Sequence, residues 1–80
     1  MALARPPAAG DNPQMHIRLN GEHLALQTPC TITALLIAQG LAERRVAVEV
    51  NGDIVPRSRH ADHVLGEDDV VEIVHALGGG

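Results

Sequence analysis

The sequence predicts an α+β domain, a mixed sheet of four to five strands with one main helix packed on one face. Three observations carry this expectation. Two Asn-Gly steps, Asn20-Gly21 and Asn51-Gly52, each follow an alternating apolar run. One stretch, and one only, has helical apolar spacing. The last run before the C-terminal glycines is apolar on both of its faces. Strands and a helix kept in separate layers make an α+β arrangement rather than an alternating α/β one.

Residues 1–14 contain Arg5-Pro6-Pro7-Ala8-Ala9-Gly10-Asp11-Asn12-Pro13, the composition of a disordered leader. The domain is expected over residues 15–77 and a flexible glycine tail over residues 78–80. Met15, at the junction, is a second candidate start. From residue 16 to 27 apolar and polar residues alternate: Ile17 and Leu19 share a face, and Leu24 and Leu26 repeat the pattern. Asn20-Gly21 between them predicts a hairpin, because both central positions of a type I′ turn take positive φ. Thr28 and Pro29 end the second strand.

Thr31 or Thr33 is suited to cap a helix over residues 32–39. Ile32, Leu35 and Leu36 fall at i, i+3 and i+4 and form its apolar face. Gly40 fits the left-handed position after the helix, with Leu41 folding back towards Leu36. Residues 45–51 alternate again, with Val46, Val48 and Val50 on one side and Ala47 and Glu49 on the other. After Asn51-Gly52, Ile54-Val55 reads as a short strand that Pro56 ends or places at an edge. Residues 58–63 are polar, room for one helical turn, and residues 66–69 form a loop. In the last strand, residues 70–77, Val71, Ile73 and Leu77 face one way and Val70, Val74 and Ala76 the other. That pattern suits a central strand. With one helix to cover one face, the other is left exposed, and an exposed apolar patch on a small domain marks a protein interface.

Composition narrows the function classes. A chain of 80 residues is one domain and buries only about 60 % of its unfolded surface. That favours a carrier, a binding module or a subunit over a self-contained enzyme. Without Phe, Tyr or Trp the core must be aliphatic, and no aromatic platform exists for stacking bases. A net charge of −4 argues against nucleic acid and suits a basic protein partner. No segment reaches the ~20 apolar residues of a membrane span, residues 1–14 lack the apolar run of a signal peptide, and the cytoplasm is the expected compartment.

Few side chains suggest chemistry of their own. His16, His23, His60, His63 and His75 are read as surface histidines, since no third ligand completes a zinc pattern around His60 and His63. Cys30, alone and near the helix start, reads as a packed thiol rather than a nucleophile. There is no Ser-His-Asp pattern and no phosphate-binding loop. Glu67, Asp68, Asp69 and Glu72 form an acidic cluster, read either as a solvated loop or as a docking patch. Arg57 reads either as a partner contact or as a counter-charge to it.

The segment Val50-Asn51-Gly52-Asp53-Ile54-Val55-Pro56-Arg57 resembles the signature of the ThiS family of sulfur carrier proteins. The run from Asp69 to Gly80 is similar to that family's last strand and tail, and Ile17-Arg18-Leu19-Asn20-Gly21 to its opening. The resemblance implies a ubiquitin-like β-grasp fold and a carrier role in thiazole formation for thiamin. Relatives commonly carry an aromatic residue after the Pro-Arg step, and this chain has none. Gly78 and Gly79 would form the flexible tail, with Gly80 as the point of sulfur attachment. The carrier would have no catalytic residue, metal or bound cofactor of its own. An adenylating activating enzyme would consume ATP at the Gly80 carboxylate, a cysteine desulfurase would supply persulfide sulfur, and thiazole synthase would accept it. Val70, Glu72, Val74, Ala76 and Arg57 are the expected partner-binding residues. Three readings compete: the small subunit of molybdopterin synthase, a protein-conjugating modifier, and a β-grasp binding module that needs no free tail.

Overall fold

The computed structural model describes residues 14–75. The expected leader up to residue 13, the end of the last strand at Ala76 and Leu77, and the Gly78-Gly79-Gly80 tail lie outside the described residues. Strands β1 (Gln14–Leu19) and β2 (Glu22–Gln27) come first, then helix α1 (Ile32–Ala38). Strands β3 (Val46–Val50), β4 (Asp53–Val55) and β5 (Val70–His75) follow. They form a five-stranded sheet in the order β2-β1-β5-β3-β4. β5 is parallel to β1 and antiparallel to β3, so the last strand lies at the centre, as its two-sided apolar pattern predicts. β1 takes in Gln14, two residues before the alternation starts, because Gln14 pairs with Gln27.

Two tight turns set the register of both hairpins. Asn20 and Gly21 have φ of 51° and 86°, and Asn51 and Gly52 have 54° and 90°. Asn tolerates this left-handed region through its short polar side chain, and Gly enters it without a Cβ clash. With register fixed, alternation decides burial. Met15, Ile17, Leu26, Val48, Val50, Val71 and Ile73 turn inward and join Ile32, Leu35 and Leu36 of α1 in one aliphatic core. Ile17, Ile32, Leu35, Val48 and Val71 are the largest fully buried side chains.

A helix of seven residues is too short to hold itself in water, and here tertiary bonds satisfy its ends. Thr31 caps it, its Oγ1 accepting from the Ala34 N–H at 3.0 Å. The Ile32 N–H donates to the His63 carbonyl and the Thr33 N–H to the His60 carbonyl, both at 3.1 Å. The polar stretch after Pro56 therefore serves as the helix's second cap. At the other end Gly40, at φ 75°, lets its own N–H reach the Ile37 carbonyl and the Leu41 N–H reach Leu36, at 3.0 and 2.7 Å. These are the two bonds of a Schellman motif.

His60 corrects the expectation of a surface histidine. It is 5 % exposed, and its Nε2 lies 3.0 Å from the Val55 carbonyl. A carbonyl only accepts, so the ring proton resides on Nε2. A short 3-10 turn, Arg57–Arg59, folds the chain back beneath β4 and carries this ring inward. His60 thus supplies a buried ring in the stretch where an aromatic residue is missing. His63 is half-buried for the same reason, and His16, His23 and His75 are exposed.

Removing the Thr31 hydroxyl in Thr31→Ala should cost about 1 kcal/mol of unfolding free energy. Val71→Ala, which opens a gap in a fully buried site, should cost roughly 2–3 kcal/mol. Urea unfolding monitored by circular dichroism checks both, with the slope on denaturant unchanged.

Candidate docking face and carboxyl-terminal strand

The side of the sheet away from α1 has no covering layer among the described residues. Strand parity places Val70, Glu72 and Val74 there, opposite in sense to buried Val71 and Ile73. Val70 and Val74 are 42 % and 55 % exposed. Cross-strand pairing sets Val74 beside Ala47, and Glu72 beside Glu49, whose other neighbour is Ile54 at 68 % exposure. Over β5, β3 and β4 the face is thus an aliphatic patch with two carboxylates opposed at its middle, and on its β1 and β2 side Arg18 and His23 stand beside Val70. Like charges directly opposite on a sheet repel, a repulsion that a cation from a partner would relieve.

Arg57 does not join this face. It lines a shallow groove with Thr33, Leu36, Ile37, Ala42 and His60, on the helix side of the sheet. Nor does it neutralise the acidic loop. Asp69 accepts from the Gly66 N–H at 2.7 Å and from Asn51 Nδ2 at 3.0 Å, while Asn51 Oδ1 accepts from the Val70 N–H at 2.9 Å. Glu67 accepts from the His16 N–H at 3.1 Å and lies 3.6 Å from its Nδ1. Two members of the acidic cluster therefore hold the entry to β5 in place, whereas Glu72 projects from the open face. Ala76, the fifth expected contact, lies outside the described residues.

β5 outruns β1. Their pairing ends at Leu19 beside Val71, and the Asn20 side chain then takes over, its Oδ1 accepting from the Ile73 N–H at 2.9 Å. Beyond that, Val74 and His75 border β3 alone. No sequence signal marks Asn20 for this second task, because the turn already accounts for its presence. His75 is exposed, and Gly80 is the fifth residue after it, a reach of at most ~18 Å.

The remaining candidates are quiet. Cys30 is 7 % exposed, its Sγ near the Thr31 carbonyl at 3.5 Å, and burial raises its thiol pKa. Among the described residues no group of three His, Cys, Asp or Glu side chains is placed to hold a metal ion. No helix among them is long and apolar enough to cross a membrane.

One helix on one face of a five-stranded mixed sheet, with the last strand at its centre and the second face bare, is the β-grasp of the ubiquitin-like proteins. The profile of the ThiS family matches residues 12–80. The chain is 37% identical over 65 residues to the sulfur carrier protein ThiS of Bacillus subtilis, covering 80% of this chain and 98% of that one. A crystal structure of the thiamine biosynthesis protein ThiS from Geobacter metallireducens superposes with a TM-score of 0.71 at 29% identity, covering 82% of this chain and all of that one. A thiazole synthase of Magnetococcus marinus is 44% identical over 66 residues, covering 82% of this chain. The chain spans only 20% of that relative's length. This chain belongs to the ThiS family.

Val74→Glu should leave unfolding free energy within about 0.5 kcal/mol of the parent, as expected for an exposed position; thermal and urea melts check it. Cys30 should react with iodoacetamide far more slowly at pH 7–8 than the same chain in urea, because its folded pKa is raised and its thiolate is scarce. The sign also fixes stability: the contribution is complete below the unfolded thiol's pKa and declines as pH rises through the folded one.

Proposed function

We propose that this chain is the sulfur carrier of thiazole formation in thiamin biosynthesis, acting through the carboxylate of Gly80. The observation that carries the proposal is the extent of the family match. It runs through Gly80 and takes in the Gly78-Gly79-Gly80 end as well as the folded body. The position of β5 supports it, since the central strand leads past the end of β1 towards that end.

The chemistry follows from what a carboxylate lacks. At neutral pH it is a poor electrophile and must be activated. The Gly80 carboxylate attacks the α-phosphorus of ATP on an activating enzyme, releasing pyrophosphate and leaving a mixed anhydride with AMP. The terminal sulfur of a persulfide, supplied through a cysteine desulfurase, attacks the acyl carbon and AMP departs. Cleavage of the remaining S–S bond by a second thiol leaves a thiocarboxylate on Gly80. Glycine suits this end because it has no Cβ, so the backbone fits a narrow channel and the acyl carbon stays open to attack. The carrier is a co-substrate: partners supply the catalytic groups and consume the ATP, and the carrier binds no cofactor itself. The cytoplasm, where such enzymes and ATP meet, is the compartment this reading implies.

Thiazole synthase is the acceptor this reading assigns. Its support is the Magnetococcus marinus relative, a protein of that name containing a stretch similar to this chain. Those relatives favour the thiazole branch over the molybdopterin one. Val70, Glu72 and Val74 form the docking face, with Glu49 and Ile54 added from the neighbouring strands, and the partner surface is aliphatic with a basic residue facing Glu49 and Glu72. Arg57, on the helix side, would serve a separate contact.

Incubation with ATP, an activating enzyme and a cysteine desulfurase should raise the intact mass by the exchange of one oxygen for sulfur, localised to Gly80 by fragmentation. An unchanged mass with an enzyme active on its own carrier would refute the proposal. Deletion of Gly79 and Gly80 should abolish the gain, whereas a module acting through its sheet face would keep its binding. Val74→Glu should slow the gain at least tenfold while the tail chemistry at saturating enzyme persists.

A further inference from the structure

The two edges of the sheet are unlike each other. β4 is three residues long and is followed at once by Pro56, which has no N–H to offer an incoming strand. β2 is twice that length, Glu-His-Leu-Ala-Leu-Gln, with no proline and no lysine. Natural sheets blunt exposed edges with short strands, prolines, lysines or bulges. Among the described residues one edge of this sheet has that protection and the other lacks it.

Hydrogen-bond parity shows which groups β2 presents. The Arg18 and Asn20 N–H groups donate to the Asp69 and Val71 carbonyls, and the His16 carbonyl accepts from Asp68. Even-numbered residues of β1 therefore direct their backbone towards β5, and Met15, Ile17 and Leu19 direct theirs towards β2. Their partners are Leu26, Leu24 and Glu22. It follows that His23, Ala25 and Gln27 turn their N–H and C=O groups outward along the edge.

We propose that this edge pairs antiparallel with β2 of a second copy, on a two-fold axis at Ala25, to continue the sheet across two molecules. The register is self-complementary. Ala25 meets Ala25 of the second copy, and His23 meets Gln27, so each outward N–H finds a carbonyl and each pair exchanges two bonds. On the helix side Leu24 meets Leu26, which covers the half-exposed flank of Leu24. Glu22 meets Thr28, and no two like charges stand opposite. The contact is well below the ~800 Å² per partner of a standard stable interface, so association is weak and depends on concentration. β1 separates β2 from β5, and both Val74 and His75 stay clear of the dimer axis. The inference rests on the sheet alone and stands apart from the sulfur-carrier reading.

Sedimentation of the full chain from micromolar to millimolar concentration should show the mass rising towards twice the monomer. A monomer throughout would overturn the proposal. Ala25→Pro deletes an outward donor without touching the bonds to β1 and should abolish the rise. Should that variant fail to fold, Ala25→Lys, which sets two ammonium groups across the axis, is read in its place. Association undiminished in the folded variant overturns the edge assignment. Ala25→Cys tests the register: opposed Cα atoms in such a pair lie about 5.5 Å apart, within reach of a disulfide. Mild oxidation should give a 25–25 cross-link, and the parent, with only buried Cys30, should give none. A dimer without that cross-link overturns the register. Amide exchange at His23, Ala25 and Gln27 should slow as concentration rises. Protection independent of concentration would mean that the chain covers its own edge, and the proposal fails.

Discussion

The structure depends on the insertion of β5 between β1 and β3. Until that strand is in place the chain holds two separate hairpins, β1–β2 and β3–β4, each with an apolar side and nothing to cover it. An isolated two-stranded hairpin is marginal in water. β5 joins them through parallel bonds to β1 and antiparallel bonds to β3, and fully buried Val71 sits at the junction, paired with both Leu19 and Val50. The same insertion creates the exposed apolar face. Because β5 is central, its outward residues Val70, Glu72 and Val74 stand at the middle of the bare side rather than at a rim. The core and the exposed face thus draw on alternate residues of one strand.

A second dependence runs through the polar residues between β4 and β5. With no aromatic side chain, the core relies on small aliphatic groups and on close control of where the short helix sits. That control is exerted by main-chain carbonyls. His60 and His63 each give a carbonyl to the start of α1, the His60 ring ties to Val55, and the Leu65 N–H bonds the Cys30 carbonyl at 2.8 Å. The loop is a strut between β4 and the helix through its backbone, while Arg57, Ser58, Arg59 and Asp62 stay exposed.

Most of the architecture is legible in the sequence because it rests on effects with a local signature. Positive φ at two Asn-Gly steps, period-two valines in β3, and helical spacing at Ile32, Leu35 and Leu36 each announce themselves. The place of β5 follows from its apolar residues on both sides. His60 was not legible, because carbonyl caps leave no mark in residue identity and a histidine in a polar stretch looks solvated. The placement of Arg57 on the helix side was not legible for a related reason: alternation assigns sides within strands, and a loop residue has no parity to read. Asp69 and Glu67 read in the sequence either as a solvated loop or as docking charges, and their bonds to Asn51 and to the backbone of His16 needed the folded loop to be seen. The outward face could be drawn from parity alone, whereas the opposition of Glu49 and Glu72 needed the register between β3 and β5.

The parallel alignment of the first and last strands also decides how the molecule bears a load. Tension applied between Gln14 and His75 draws β1 and β5 in opposite directions along their length. The bonds from Arg18 to Asp69, from Asn20 to Val71, and from Ile73 to the Asn20 side chain are then strained together in shear, not opened one after another like a zipper. A domain held in this way resists pulling at its ends far better than its small core suggests, and force directed across the β2 edge meets the lesser resistance.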